Sequence, residues 1–193
     1  MNKVETKNIM IVGVGGQGSL LASKLLGTLL TDEGYDVKVS EVHGMSQRGG
    51  SVVTYVRFGE KVYSPVITQG EADIIVSFEK LEAARHAPCL KKGGRIIVNT
   101  QQIDPMPVIT GAAEYPENVL DELKAKNIQI DAVDALSLAT RAGNAKSVNI
   151  VLMGRVAKCF DIPCDKWLAA IEKCVKPQFV QVNKKAFELG YES

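Results

Sequence analysis

NIMIVGVGGQGSLLASKLLGTLLTDEG, residues 8–34, changes its hydrophobic period once, at the glycines, and that change decides the fold. Residues 8–14 form a continuous apolar run, the pattern of a parallel strand buried on both faces. From Gln17 to Asp32 the apolar positions, Leu20, Leu21, Leu25 and Leu29 among them, recur at helical spacing, and Gly34 lies just past the end as a stop. The unit is a strand, a glycine turn GVGGQGS (13–19) and a helix. Such a turn has two uses: its small residues allow a sharp bend and close strand–helix packing, or its amides hold an anion at the helix N-terminus.

The same beat continues outward. YDVKVSEV (35–42) alternates like a strand, and HGMSQRGG (43–50) breaks the pattern with three glycines. SVVTYVRF and KVYSPVI, joined at Phe58–Lys61, predict an antiparallel hairpin over residues 51–67, with Pro65 near a free edge. ADIIVSF is a buried strand, FEKLEAARH a short helix ended by Pro88, and Gly93-Gly94 lead into the strand RIIVN. Residues 101–116, with Pro105, Pro107 and Pro116, form a long irregular connection of the kind that is more often functional or interfacial than accidental. PENVLDELKAK predicts a helix and NIQIDAV a strand. Three more helices follow the one capped by Asp134: residues 147–160, one opened by Asp161 and Pro163, and one opened by Pro177. Together these predict one α/β domain over residues 1–193, three-layered and Rossmann-like, with a mostly parallel sheet, an antiparallel hairpin and a helical C-terminal third.

Composition excludes several classes of function. Of 193 residues 46% are hydrophobic and 23% charged, and the net charge of +1 is spread along the chain, so no basic footprint for nucleic acid or an anionic membrane exists. No apolar run approaches the roughly 20 residues that span a bilayer, and MNKVETKN lacks the apolar core of a signal peptide, so a cytoplasmic protein is expected. Cys89, Cys159, Cys164 and Cys174 match neither zinc-knuckle nor iron–sulfur spacing and read as free thiols, with no metal expected in this chain. Trp167, beside Leu168 and Ile171 on an amphipathic helix, reads as core.

Gly13, Gly15 and Gly18 satisfy G-x-G-x-x-G, and Glu41 ends the second strand 23 residues past Gly18, as in a dinucleotide fingerprint. A Rossmann half would continue into a second crossover helix, whereas this chain enters a glycine–arginine loop, so the strand order is wrong for a full dinucleotide site. An intermediate role needs less: Gly15, Gly16, Gln17, Gly18 and Ser19, at a helix N-terminus, can contact a phosphate or carboxylate. Ser19 can serve instead as the helix cap.

The loop that follows Glu41 holds His43, Met45, Ser46, Gln47 and Arg48 between two strands, with no packing purpose visible in its pattern. EVHGMSQRGGSVVTYVRFG (41–59), GVGGQGS (13–19), YSPVITQGEADIIVSFEKLEA (63–83) and NKKAFELG (183–190) together resemble the gamma-domain family of 2-oxoacid:ferredoxin oxidoreductases over nearly the whole chain. The H-G-M-S-Q-R-G-G form of the loop resembles that of the small (beta) subunit of indolepyruvate ferredoxin oxidoreductase. The resemblance implies a subunit of an enzyme that oxidatively decarboxylates an aryl pyruvate, passes two electrons to ferredoxin and traps the acyl group on coenzyme A. It also implies thiamine diphosphate, magnesium and 4Fe-4S clusters on a larger partner subunit, because this chain has no segment like the G-D-G and paired asparagine that hold the magnesium diphosphate in the family. The isolated chain is then expected to be inactive, with a homodimer left open.

Arg48, flanked by Gln47 and Gly49-Gly50, can present its planar fork to a 2-oxoacid or coenzyme A, or form an intersubunit salt bridge. His43 can donate to a substrate or a partner, or fix the loop. His86, just before Pro88, reads as a helix-end residue with no catalytic role. The competing function is a self-contained Rossmann-type nucleotide-binding protein; a free-standing scaffold is a third.

Overall fold

The N-terminal apolar run forms β1 (Lys7–Val14) in the computed structural model, which describes residues 5–43 and 49–193, His43 by its backbone only. Helix α1 (Ser19–Asp32) follows, then β2 (Asp36–His43), β3 (Ser51–Gly59), β4 (Ala72–Ser77), α2 (Lys80–His86) and β5 (Leu90–Asn99). The chain continues through α3 (Met106–Ile109), α4 (Val119–Ala125) and β6 (Gln129–Val133) into α5 (Ala135–Ala142), α6 (Val148–Ala157), α7 (Cys164–Cys174) and α8 (Val180–Glu192). The expected caps are in place: Asp134 accepts from the Ser137 amide at 3.0 Å, and Pro163 sits at the N-cap of α7.

The six strands lie in the order β2-β3-β1-β4-β5-β6. β1, β4, β5 and β6 pair in parallel, and β3 pairs antiparallel with both β1 and β2, so β3 alone runs against the rest. Alternation along β1 divides the core. Ile9 and Ile11 pack with α1 and the C-terminal helices, whereas Met10 and Val12 pack with α2 and α4. This makes three layers, with the helical third on one face. Trp167 is fully buried there, stacked on Phe187 at a centroid distance of 5.7 Å and edge-on to Phe160 at 5.6 Å.

The hairpin is not the one expected over residues 51–67. β3 pairs with β2 on one edge and with β1 on the other, so neither edge of β3 remains for the segment after Gly59. That segment is irregular. Its carbonyls at Ser64 and Val66 accept from Arg57 at 3.1 and 2.8 Å, and the Val62 amide donates to Asp36 at 2.9 Å. Pro65 removes one further donor that a strand would need.

Candidate functional site

Two parallel neighbours, β1 and β4, send their following helices to opposite faces of the sheet, which makes the gap between their C-terminal ends the switch point where open α/β sheets bind ligands. Here the gap is filled from within. The Gln17 side chain accepts from the Val14 amide at 2.7 Å and donates to the Phe78 carbonyl at 3.1 Å, and Asn99 donates to the same carbonyl at 3.1 Å. Gly13 leaves room for this, since a Cβ there would lie 2.8 Å from Gln17 Oε1 and 2.9 Å from Phe78 Cβ. Gln17, expected among the ligand contacts, is thus the residue that ties the turn to β4.

Gly18 also answers to a protein contact. It occupies the N-cap of α1 with φ +89°, and a Cβ there would lie 2.6 Å from Asn149 Nδ2, which donates to the Gly18 carbonyl at 3.2 Å. Ser19 is the first helical residue, not the cap expected from its side chain, because the left-handed turn is completed one residue earlier. Gly16, at φ +101°, faces open space. Gly16→Ala is therefore expected to cost about 1 kcal/mol through its backbone conformation, and Gly18→Ala more, because Asn149 must also move. Urea midpoints of the two variants check both the size and the order; equal and unchanged midpoints would show the turn to be unconstrained.

What stays open lies on the α1 side. Gly15, Gly16, Gly18, Ser19 and Leu20 line a groove of about 320 Å³ with Glu41 and Val52 on its far wall. The groove reunites the fingerprint glycines with Glu41 although β3 stands between their strands. Among the described residues, no hydrogen bond acceptor meets the amides of Gly16, Gly18, Ser19 or Leu20, and no acidic side chain occupies the first turn of α1. The first turn of a helix favours negative charge through its free amides and its dipole, and Glu41 adds a carboxylate to the lining of the same groove.

The loop stem meets this turn directly, because the β1–β3 register sets Val14 opposite Ser51. Gly15 donates to Gly50 at 2.8 Å, and Gly49 donates back to Gly15 at 3.4 Å. From the other side Ser51 donates to Glu82 at 2.5 Å. Met45, Ser46, Gln47 and Arg48 lie outside the described residues, as does the His43 side chain. The structure brings together the glycine turn, Glu41 and the two ends of the loop.

A carboxylate cluster on α2 escaped sequence reading. Glu79, 1% exposed, accepts from the Glu82 amide at 3.0 Å, from the Ile103 amide at 3.3 Å and from the Tyr115 hydroxyl. Burial, and then the bond to Glu79 and its charge, push the Tyr115 hydroxyl well above its ordinary range. For Glu82, burial acts to raise the carboxyl, but the nearby His86 imidazole, the hydrogen bond from Ser51 and the charge of Arg85 outweigh it and hold the group below the usual carboxylate value. His86 ends α2, one turn after Glu82 and 3.7 Å from its carboxylate, in keeping with a helix-end role. The E-x-x-E spacing at residues 79–82, at the start of a helix, was the available signal, whereas nothing local points to Tyr115.

The family profile described as pyruvate ferredoxin/flavodoxin oxidoreductase matches residues 8–193. The chain is 47% identical to the indolepyruvate oxidoreductase subunit IorB of Thermococcus kodakarensis, covering 95% of this chain and 93% of that one. It is 46% identical to the subunit of the same name from Pyrococcus horikoshii, with the same coverage. The fold is similar to that of the keto/oxoacid ferredoxin oxidoreductase gamma subunit from Geobacter sulfurreducens, at a TM-score of 0.72 and 22% identity over 96% of each chain.

Proposed function

The chain belongs to the pyruvate ferredoxin/flavodoxin oxidoreductase family, and from that premise we propose that it is the small subunit of an indolepyruvate ferredoxin oxidoreductase. The complex oxidatively decarboxylates indolepyruvate or another aryl pyruvate in the cytoplasm, delivers two electrons to ferredoxin and transfers the acyl group to coenzyme A. Near-complete alignment with two subunits named for indolepyruvate supports the substrate class. The observation that supports a direct part for this chain is the groove lined by Gly16, Gly18, Ser19 and Leu20, whose amides meet no acceptor among the described residues, with Glu41 also in its lining.

Thiamine diphosphate, magnesium and the 4Fe-4S clusters belong on the large partner subunit in this proposal. The described donors of this chain do not fit them. Cys89 packs in the layer of α2 and α4, whereas Cys159, Cys164 and Cys174 pack on the opposite side of the sheet, so the four thiols cannot share a cluster. Burial pushes the Cys89 and Cys159 thiols up, away from the thiolate form that a metal requires. Among the described residues no group of three His, Cys, Asp or Glu is placed to hold a metal ion.

The role left to this chain is to bind and orient. The first turn of α1 offers donors to an anionic end of coenzyme A or of the 2-oxoacid, Glu41 offers an acceptor, and beside them lies the stem Gly49–Ser51, fixed by Gly15 and Glu82, which Arg48 precedes in the chain. By contrast, the gap between β1 and β4 that a dinucleotide would need is occupied by Gln17 and Asn99. Coexpression with the large subunit is expected to give indolepyruvate-dependent reduction of a viologen dye that requires coenzyme A, with either chain alone inactive. Activity of the chain alone, or a complex that turns over pyruvate and rejects aryl pyruvates, would overturn the proposal.

A further inference from the structure

The connection from β5 to α4 is tied down at both ends and projects in the middle. Lys80 donates its amide to Gln101 at 3.3 Å, Ile103 donates to Glu79 at 3.3 Å, and the Tyr115 hydroxyl both donates to Glu79 and accepts from the Leu81 amide at 3.1 Å. A buried carboxylate is thereby committed to holding a connection in place. Between these ties α3 closes on itself, with Ala112 and Ala113 donating to Pro107 at 2.8 and 3.0 Å. The result is an ordered turn on which Met106 and Ile109 stand 63% and 65% exposed. They form one wall of a groove of about 490 Å³ whose other walls include Gly49, Ser51, Glu82 and Arg85, the last already paired with Glu82 at 3.3 Å.

Large apolar side chains held out in water by a built support mark an interface, because an unsupported loop would lower its free energy by folding them inward. Charge identifies the occupant. Residues 101–118 carry Asp104, Glu114 and Glu117, all exposed, and no lysine or arginine. A second copy of the chain meeting this turn across a two-fold axis would set these carboxylates against one another, since residues 101–118 bring no cation to the contact. A basic surface with an apolar centre meets both requirements.

We infer that the α3 turn docks the large partner subunit, through a patch on that subunit that pairs apolar side chains with lysine or arginine. This rests on the functional reading above and adds the surface through which the complex assembles. A partner seated on Met106 and Ile109 also lies against Gly49–Ser51, so docking brings it to the stem of the loop.

The test measures binding of the full small subunit to the purified large subunit by sedimentation, across a range of salt. Because both side chains are exposed, Ile109→Lys should keep the thermal midpoint of the free chain while weakening the complex roughly tenfold or more. Glu114→Lys with Glu117→Lys should slow association and flatten its salt dependence. Wild-type affinity and salt dependence in both variants would overturn the inference. So would a wild-type chain that self-associates and becomes monomeric on Ile109→Lys, since the occupant would then be a second copy. Failure of the wild-type chain to bind the large subunit at all would instead remove the functional reading on which the inference stands.

Discussion

Gly154→Ala and Gly190→Ala are each expected to destabilise the chain by more than about 3 kcal/mol, beyond the usual range for adding a methyl group to a core. The two glycines face each other where α6 crosses α8. A Cβ at Gly154 would lie 2.1 Å from the Phe187 carbonyl oxygen and 2.8 Å from the Tyr191 amide, and one at Gly190 would lie 2.0 Å from the Val151 carbonyl oxygen. These neighbours are backbone atoms inside helices, so no rotamer change relieves the clash. The helices must separate, and separation breaks contacts of Phe187, which stacks on Trp167 in the larger core layer. Gly27→Ala is the control. Its Cβ would meet only Val39 Cγ2, at 3.6 Å, and the change should be neutral or stabilising by up to about 1 kcal/mol through helix propensity. Urea denaturation of the three variants decides the matter; midpoints for Gly154→Ala and Gly190→Ala near that of Gly27→Ala would mean that the helices are not in backbone contact.

Arg48→Ala is expected to lower kcat/KM of the assembled complex by roughly ten- to a hundredfold, with the complex intact. The residue precedes in sequence the fixed stem Gly49–Ser51, and that stem bonds to Gly15 of the glycine turn, whose following amides at Gly16, Gly18 and Ser19 meet no acceptor among the described residues. Lysine keeps the charge and loses the bidentate fork, so Arg48→Lys should already raise KM. An interface ion pair predicts another pattern: the large subunit dissociates more readily, and activity recovers as protein concentration rises. Steady-state kinetics and analytical ultracentrifugation on the two variants separate these outcomes, and wild-type behaviour in both leaves Arg48 without a part in binding or assembly.

Most of the elements were legible in the residues because their signals are local. A continuous apolar run, a glycine turn and a helical period specify β1 and α1 wherever they occur, and the same holds for β4, for α2 ended at Pro88 and for the helices opened at Asp134, Pro163 and Pro177. The glycine turn and the loop at residues 43–50 also stood out by composition, and together with two further segments they carried the family resemblance. What each fingerprint glycine accommodates did not. Gly13 yields to Gln17 and Phe78, and Gly18 to Asn149, which is 131 residues away in the chain. The neighbourhood of the glycine turn and the loop stem, and of Glu41 with both, depends on β3 inserting between β1 and β2. That insertion also undid the expected hairpin, since KVYSPVI has the pattern of a strand and both edges of β3, its expected partner, are already taken by β1 and β2. A strand pattern records which face is buried but not which neighbour takes its hydrogen bonds. The partner is settled by competition among all edges of the sheet, and so only in the folded chain.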